Sequence, residues 1–349
     1  MNTMEITKVV GCGGIGKGLL FISPVNETLG RSESRLVVQS DAKDYCKQQI
    51  VFYYISLFLK DKASVYPIGA VGNDSWGEEI LRQMKKQGMH MDCVKKVAAP
   101  TMLSICLQYP DKEGCNFTAQ NSAAGEVSPE FIEDAMEKIG VDSHTCLVAI
   151  PEISVESRSR MLELGKRKGA VCVLSVPSAE AKEFEKAGTY AFCDLIAVNE
   201  EEAKAMTGSE KTGKELTAEL LSYLQNWQQD IRVCVTFGKK GACLGEGSKI
   251  EAVQAFPAKT VNTTGAGDAF LGTLVSGLIL GLPFFKERED ETFGGNELRT
   301  APELAALCAG LAVESEDSIP EHITVPYIRA MIKEHDWKQR LFTEISENL

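Results

Sequence analysis

The sequence predicts an α/β fold, in which a central and mostly parallel β-sheet carries helices on both faces and a small β lid covers its open end. Short apolar runs alternate with segments of helical period along most of the chain, which is typical of parallel sheets. The alternation breaks at two places, where short strands flank polar loops. With 349 residues, 44% of them hydrophobic and 25% charged, the chain can build one large core and a small appendage. We therefore expect a single domain over residues 1–349.

The elements of the main sheet can be placed in chain order. Apolar runs rich in Val, Ile and Cys predict strands, and segments in which apolar residues recur every three or four positions predict helices. The predicted strands cover 8–14, 63–69, 147–152, 170–176, 195–200 and 231–238. The predicted helices cover 41–60, 76–87, 155–168 and 216–228.

Two stretches predict the lid. The runs LLFIS and RLVVQ look like two short strands around a polar loop, and TMLSICLQYPDKEGCNFTAQ looks like a hairpin that turns at Asp111 to Gly114. These lid strands lie within about 19–38 and 101–120, so segments distant in sequence would form one small sheet. We also expect the lid to offer a surface for a homodimer.

Composition and charge exclude several classes of protein. The formal net charge of -12 is opposite to the basic surface that a nucleic-acid partner requires. The 11 cysteines have no CxxC spacing and lie in apolar runs, as buried thiols of a reducing compartment do. The first residues do not resemble a signal peptide, and the most apolar run, 50–59, is too short to span a bilayer. We therefore expect a cytoplasmic protein with neither a nucleic-acid nor a membrane partner.

The first glycines of the chain match two nucleotide-binding motifs formally. Gly11, Gly13 and Gly16 satisfy the GxGxxG pattern of dinucleotide-binding proteins, and the same stretch, ending in Lys17, nearly spells a phosphate-binding loop. Both motifs need a helix to follow, but Gly18, Pro24 and Gly30 interrupt the next residues. The alternative is that the glycines let another segment or a ligand lie against the end of the first strand.

The stretch VNTTGAGDAF, which leads into the apolar run LGTLVSGLILG, predicts an anion-binding site. Gly265, Ala266 and Gly267 have almost no side chain, so their backbone N–H groups can approach a ligand at the start of a helix. Asp268 follows within the first turn and could accept the proton of a hydroxyl group that attacks a phosphoryl group. The alternative is an ordinary helix start, with Asp268 stabilised by the helix dipole.

Taken together, these residues resemble a known family. VNTTGAGDAF is similar to the DTxGAGD signature of the ribokinase-like, PfkB-type carbohydrate kinases. Further family motifs occur in the expected order, and the resemblance extends from about residue 8 to residue 331. These motifs are the GxD turn and helix at Gly72, Asp74 and Gly77, the lid-strand threonine Thr101 after Pro100, the NxxE motif at Asn199 and Glu202, and the TxGxxG turn at Thr236, Gly238 and Gly241.

The resemblance implies a kinase that transfers phosphate from ATP to a hydroxyl of a sugar, polyol or similar small molecule, with Mg²⁺. Asp268 would be the catalytic base, and the amides of residues 265–267 would neutralise the charge on the moving phosphoryl group. Asn199 and Glu202 would organise Mg²⁺ and its water ligands.

Both remaining motifs also allow a structural interpretation. Asn199 and Glu202 have the spacing of a helix capping box. Thr236, Gly238 and Gly241 would border the nucleotide, but they could equally form a tight turn between two strands.

The acceptor residues depart from the family pattern. Gly16, followed by Lys17, stands where the family has a sugar-binding aspartate, and SDAKDYCKQQ replaces the usual GGxxxN. One explanation is a bulkier or more anionic acceptor, with Lys17, Arg31 and Lys43 as candidate partners. Another is a different surface for an acceptor that is not a sugar. The resemblance also places Glu152 in contact with the acceptor.

A further departure concerns Asn262, which opens the signature where the family has an aspartate. That aspartate helps the family to hold a monovalent cation, so a carboxamide puts potassium activation in doubt. Two rival functions remain open. One is a catalytically silent sugar-binding or regulatory protein on the same fold, and the other is a dinucleotide-dependent oxidoreductase.

Overall fold

The computed structural model describes residues 5–286 and 298–334, so the ends of the domain expected over 1–349 lie outside the described residues. Within these ranges no helix is both long and apolar enough to cross a membrane. The strands are β1 Lys8–Cys12, β2 Gly16–Ile22, β3 Val38–Gln39, β4 Asp44–Tyr45, β5 Ser64–Gly72, β6 Val94–Val97, β7 Met102–Gln108, β8 Gly114–Thr118, β9 Thr145–Ala149, β10 Val171–Leu174, β11 Leu195–Asn199, β12 Arg232–Thr236, β13 Ala242–Glu246 and β14 Lys249–Val253.

The α-helices alternate with these strands, as the sequence predicts. They are α1 Lys47–Leu59, α2 Ser75–Lys86, α3 Pro129–Ile139, α4 Val155–Arg167, α5 Ala181–Lys186, α6 Glu200–Thr207, α7 Gly213–Gln225, α8 Ala266–Ile279, α9 Ala301–Ala312 and α10 Val325–Glu334.

The main sheet has nine strands in the order β14-β13-β12-β11-β10-β9-β1-β5-β6. Every neighbouring pair from β12 to β6 is parallel, whereas β13 pairs antiparallel with both β12 and β14. Helices cover both faces, and all five residues of β9 are buried, which explains why this strand is a continuous apolar run. The predicted α/β class with a mostly parallel sheet is confirmed.

The lid is a second sheet of five strands in the order β3-β2-β7-β8, with β4 paired to the other part of β2. Strands β2 and β7 run parallel over seven residues, from the Gly16–Met102 pair to the Ile22–Gln108 pair. The sheet thus joins segments distant in sequence, as expected, although β3 has only two residues.

The structure corrects the predicted start of the first helix, which begins at Lys47 rather than at residue 41. The intervening residues form β4, where Asp44 pairs with Gly18 and Tyr45 pairs with Lys17. Pairing with β2 therefore overrides the helical pattern of residues 41–46. The sequence of this segment alone does not indicate that partner.

The glycine-rich start of the chain leads into β2 and not into a helix, which rules out the dinucleotide-binding and phosphate-loop motifs. A Cβ atom at Gly14 would lie 2.4 Å from both Glu152 Cβ and Met102 Cε, and one at Gly16 would lie 2.3 Å from the Met102 carbonyl oxygen. The alternative interpretation is confirmed, because these glycines let the lid and a loop after β9 pack closely.

Helices α1 and α8 pack against each other over the sheet, and this contact positions the candidate site. A Cβ atom at Gly272 would lie 2.4 Å from the Val51 carbonyl oxygen, so the absence of a side chain lets the two backbones approach. Their N-terminal turns meet where Lys47 of α1 faces Asp268 of α8.

Candidate active site

Asp268 lies in the first turn of α8, beside backbone amides that can receive an anion. Gly265 is the N-cap of this helix and has a φ of 81°, which is a left-handed conformation that glycine adopts without strain. A Cβ atom at Gly267 would meet nothing within 4 Å, so this side of the turn is open to a ligand. The Asp268 side chain is only 15% exposed, and burial raises the pKa of its carboxyl.

Lys47 is the cation nearest to this carboxylate in the site, and it is not among the basic residues that the sequence predicts here. Its Nζ lies 3.9 Å from Asp268 Oδ2. The charge of Asp268 raises the pKa of the Lys47 ammonium, and Lys47 in turn opposes the effect of burial on Asp268. The only local signal would have been the position of Lys47 at a helix start, and the helix was predicted to begin six residues earlier.

Glu152 follows β9, and its side chain reaches the first turn of α1 at Lys47. Its Oε2 accepts the backbone N–H of Lys47 at 3.3 Å and so caps α1, whose N-cap Cys46 makes no side-chain cap. Burial, opposed by the Lys47 ammonium and assisted by the charge of Asp268, raises the pKa of Glu152 to about 7. The φ of Glu152 is 80°, a strained conformation for a residue other than glycine and one that clusters at functional sites.

Asp44 is a further carboxyl that the sequence analysis did not identify. It is buried, accepts the Cys106 thiol at 3.1 Å on Oδ2, and accepts the Tyr45 N–H at 3.0 Å on Oδ1. A Cβ atom at Gly18 would lie 2.0 Å from Asp44 Oδ2, so the glycine makes room for this carboxyl. Burial raises the pKa of Asp44. Strand β4 thus brings a carboxyl to β2, the strand in which Gly16 replaces the expected aspartate.

Asn199 and Glu202 form the capping box that their spacing allows. The Asn199 Oδ1 accepts the Glu202 N–H at 2.9 Å, and the Glu202 Oε2 accepts the Asn199 N–H at 2.8 Å. Burial raises the pKa of Glu202, and the charges of Lys47 and Asp268 also act on it. The register of β11 and β12 places Asn199 beside Thr236 at the carboxyl ends of the strands, where α/β proteins bind ligands.

The donor set at α6 fits Mg²⁺ held mainly by water and phosphate. Within the described part of the chain, no group of three or more His, Cys, Asp or Glu side chains could hold a metal alone. Glu202 Oε1 makes no hydrogen bond in that same part, so one hard oxygen remains for the ion or its water ligands.

The TxGxxG motif forms the tight turn between β12 and β13. Gly238 and Gly241 have φ values of 53° and 95°, and a Cβ atom at Gly241 would lie 2.0 Å from the Val253 carbonyl oxygen. Thr236 pairs with Ala242 across the turn. The turn interpretation is confirmed, and a role beside the nucleotide is compatible with it.

The basic residues considered for an anionic acceptor are engaged elsewhere or exposed. Lys17 Nζ lies 3.8 Å from Glu79 Oε2 and 6.0 Å from the centroid of the Trp76 ring. Lys43 Nζ lies 3.8 Å from Glu321 Oε1, and Arg31 is exposed in the lid loop.

Asn262 is buried, with 4% of its surface exposed, and both ends of its amide make hydrogen bonds. Its Oδ1 accepts Gln108 Nε2 and the Thr264 N–H, both at 3.0 Å, and its Nδ2 donates to the Glu316 carbonyl oxygen at 2.9 Å. Because the backbone partners fix the amide orientation, an N–H group faces the carbonyl where a cation would need an oxygen. The residues do not fit a monovalent cation.

The lid is tied to the main sheet at both ends of β7. Before β7, Asp74 caps α2 through the Gly77 N–H at 2.8 Å and accepts both the N–H and the hydroxyl of Thr101, at 2.8 Å and 2.7 Å. After β7, the Lys112 carbonyl at the hairpin tip accepts the Thr263 hydroxyl at 3.0 Å. The tip of the lid hairpin therefore contacts the loop that precedes Asp268.

Comparisons with known proteins identify the family and the fold of the chain. The model of the "pfkB family carbohydrate kinase" matches residues 53–323. The ribokinase of Lactococcus lactis is 29% identical over 211 residues, which are 60% of this chain and 65% of that protein, just under two thirds of its length. Fructokinase-2 of Solanum habrochaites is 24% identical over 279 residues, 76% of this chain and 80% of that protein.

The fold also matches a solved structure. An E. coli protein assigned as a ribokinase II, crystallised with ATP and Mg²⁺, superposes with a TM-score of 0.72 at 17% identity. The superposition covers 95% of this chain and 100% of that chain.

Proposed function

The chain belongs to the pfkB family of carbohydrate kinases, and from this premise we propose that it transfers the γ-phosphate of ATP to a hydroxyl of a sugar or sugar-like small molecule, with Mg²⁺. The observation that carries the proposal is the buried Asp268 carboxyl in the first turn of α8, next to the open backbone of residues 265–267. Adenine nucleotide and Mg²⁺ are supported by the E. coli structure that contains both.

In this mechanism Asp268 accepts the proton of the acceptor hydroxyl. The hydroxyl oxygen forms a bond to the γ-phosphorus, the bond from that phosphorus to the bridging oxygen breaks, and ADP leaves with the electron pair. Amides at the start of α8 hold the charge of the moving phosphoryl group. The contact of the hairpin tip with Thr263, through the Lys112 carbonyl, would help to exclude water once substrates are bound.

Glu202 would hold Mg²⁺ and its water ligands through Oε1, while Asn199 keeps the carboxylate oriented through the capping box. When bound, the ion would neutralise charge on the phosphate oxygens.

The charges around Asp268 favour a neutral acceptor over an anionic one. Burial raises the pKa of Asp44, Glu152, Glu202 and Asp268, and Lys47 is the cation that opposes this at each of them. An anionic acceptor would meet these carboxyls while Lys17 and Lys43 point to other partners. Glu152 is then the group that orients an acceptor hydroxyl.

Turnover against a panel tests the proposal. We expect Mg²⁺-dependent ADP formation with at least one neutral sugar, polyol or nucleoside and none without Mg²⁺. Asp268→Asn should lower turnover by about 10² to 10⁴ yet bind ATP as the wild type does. Wild-type protein that binds ATP and a sugar without forming ADP would instead be the catalytically silent protein, a candidate favoured by the filled spaces beside Gly14 and Gly16.

We also propose that the outer face of the lid is a homodimer surface. Apolar side chains are exposed there in the cross-strand pair of Ile105 with Phe117, of which Phe117 is 67% exposed. An apolar patch of this kind marks an interaction site. Light scattering should give twice the chain mass, and Phe117→Lys should give the single-chain mass; a wild-type monomer would exclude the dimer.

A further inference from the structure

The Lys47 ammonium has an unusual place in the site, because it is paired by charge and not by a hydrogen bond. At 3.9 Å from Asp268 Oδ2, its Nζ lies beyond hydrogen-bond distance. Its side chain is 41% exposed, and within residues 5–286 and 298–334 its Nζ donates no hydrogen bond. All three of its N–H groups therefore remain free to contact a ligand or to tighten onto the carboxylate.

The backbone of Lys47, in contrast, is held. Its N–H donates to Glu152 Oε2 at 3.3 Å, and the next residue, Gln48, donates its side-chain amide to the Gly11 and Ile68 carbonyl oxygens at 3.1 Å and 3.3 Å. The first turn of α1 is thus anchored to β1, to the middle of β5 and to the loop after β9. The flexible part of Lys47 is its side chain alone, which pivots from a fixed point.

The charges that face Asp268 come from several elements. Lys47 belongs to α1, Asp44 to β4, Glu152 to the loop after β9, and Glu202 to α6. Three of these four groups are carboxyls, so Lys47 is the group that can favour the ionised form of Asp268. An unprotonated carboxylate is what a general base requires.

We propose that Lys47 is a positioning residue for phosphoryl transfer, which holds the Asp268 carboxylate ionised and aimed at the acceptor hydroxyl until the proton moves. This inference rests on the proposed function. When Asp268 takes the hydroxyl proton, it loses its charge, and the free N–H groups of Lys47 turn to the phosphoryl group that has arrived beside it. A negative charge therefore faces the Lys47 ammonium both before and after the proton transfer.

Three variants of the full chain test the proposal by kinetics as a function of pH. Lys47→Met should lower kcat by about 10²-fold, which is typical for loss of one charge-stabilising group, with a much smaller change in ATP affinity. The acid limb of its kcat/KM profile should move to higher pH, because Asp268 loses the charge that lowers its pKa. Lys47→Arg should restore the profile. Lys60→Met, at the exposed C-terminal end of α1, is the matched control and should behave as the wild type.

Two outcomes would overturn the role of Lys47. One is an acid limb at the same pH in Lys47→Met and wild type; the other is a loss of activity that tracks a lower melting temperature and is not restored by Lys47→Arg. A readout independent of turnover is the ¹³C NMR titration of the Asp268 carboxyl, assigned with Asp268→Asn. Its midpoint should rise in Lys47→Met, and equal midpoints would refute the inference. A wild type without turnover on any acceptor would reject the proposed function instead, and the titration would then still show whether Lys47 keeps Asp268 ionised.

Discussion

Replacing Asn262 by Asp should turn a neutral, hydrogen-bonded amide into a buried carboxylate that requires a cation. In the wild type the Asn262 amide joins three segments: Gln108 of the lid strand β7, Thr264 before α8, and the Glu316 carbonyl after α9. Aspartate keeps the two acceptor contacts at Oδ1. It exchanges the N–H group that faces the Glu316 carbonyl at 2.9 Å for a second oxygen.

The size of the effect follows from these contacts. The bonds from Gln108 and Thr264 become charge-assisted, which contributes about 1 kcal/mol each. The bond to Glu316 is lost, at about 1 kcal/mol, because Glu316 itself is exposed. Burial of the charge at a position that is 4% exposed costs several kcal/mol more. We expect a net loss of about 2–4 kcal/mol in the free energy of unfolding.

Potassium should reverse part of that loss, since a cation between the two oxygens replaces the missing proton. The assay is urea unfolding in tetramethylammonium chloride, with potassium chloride exchanged in at constant ionic strength to exclude screening. The variant should become more stable with potassium, whereas the wild type should stay flat in stability and in turnover. Asn121→Asp, an exposed change of the same charge, is the matched control.

Two results would refute this reasoning. A several-fold, saturable rise of wild-type turnover with potassium but not with sodium would mean that a cation binds despite the amide. Equal stability of Asn262→Asp and wild type in tetramethylammonium would mean that the charge-assisted bonds offset both the burial of the charge and the lost Glu316 contact, so that no cation is required.

Three further predictions follow from the site. Asp268→Asn should lower turnover by about 10² to 10⁴, because a carboxamide cannot take the hydroxyl proton, and calorimetry should find ATP affinity nearly unchanged; equal turnover would remove Asp268 from the mechanism. Glu202→Gln should raise the Mg²⁺ concentration needed for half-maximal turnover. It should change the melting temperature little, since a glutamine oxygen can still accept the Asn199 N–H. An unaltered Mg²⁺ titration together with a loss of about 1 kcal/mol in the free energy of unfolding would mean that Glu202 only caps α6. The pKa of Glu152 is raised to about 7 in the folded state, so the folded state binds its proton more tightly and stability falls as pH rises from about 4.5 to 7. Glu152→Gln should flatten that fall, by at most about 3 kcal/mol in urea unfolding between pH 5 and pH 8, and parallel pH curves for the two proteins would contradict it.

The local sequence was sufficient for those parts of the fold and site that depend on neighbouring residues. Continuous apolar runs predict parallel strands because such strands are buried on both faces, as β9 is. The capping box at Asn199 and Glu202 and the glycine turn at Gly238 and Gly241 follow from spacing, since their partners lie within four residues. The signature around Asp268 likewise places a carboxyl at a helix start by local order alone.

Tertiary structure decided the rest, because the contacts involved join residues far apart in the chain. Lys47 approaches Asp268 only because α1 packs on α8, and no local pattern distinguishes it from an exposed lysine. Asp44 leaves its predicted helix to pair with Gly18, whose missing side chain makes room for the carboxyl. The amide of Asn262 was visible in the sequence, but its partners come from β7 and from the segment after α9, so only the packed chain determines that an N–H group fills the place of a cation.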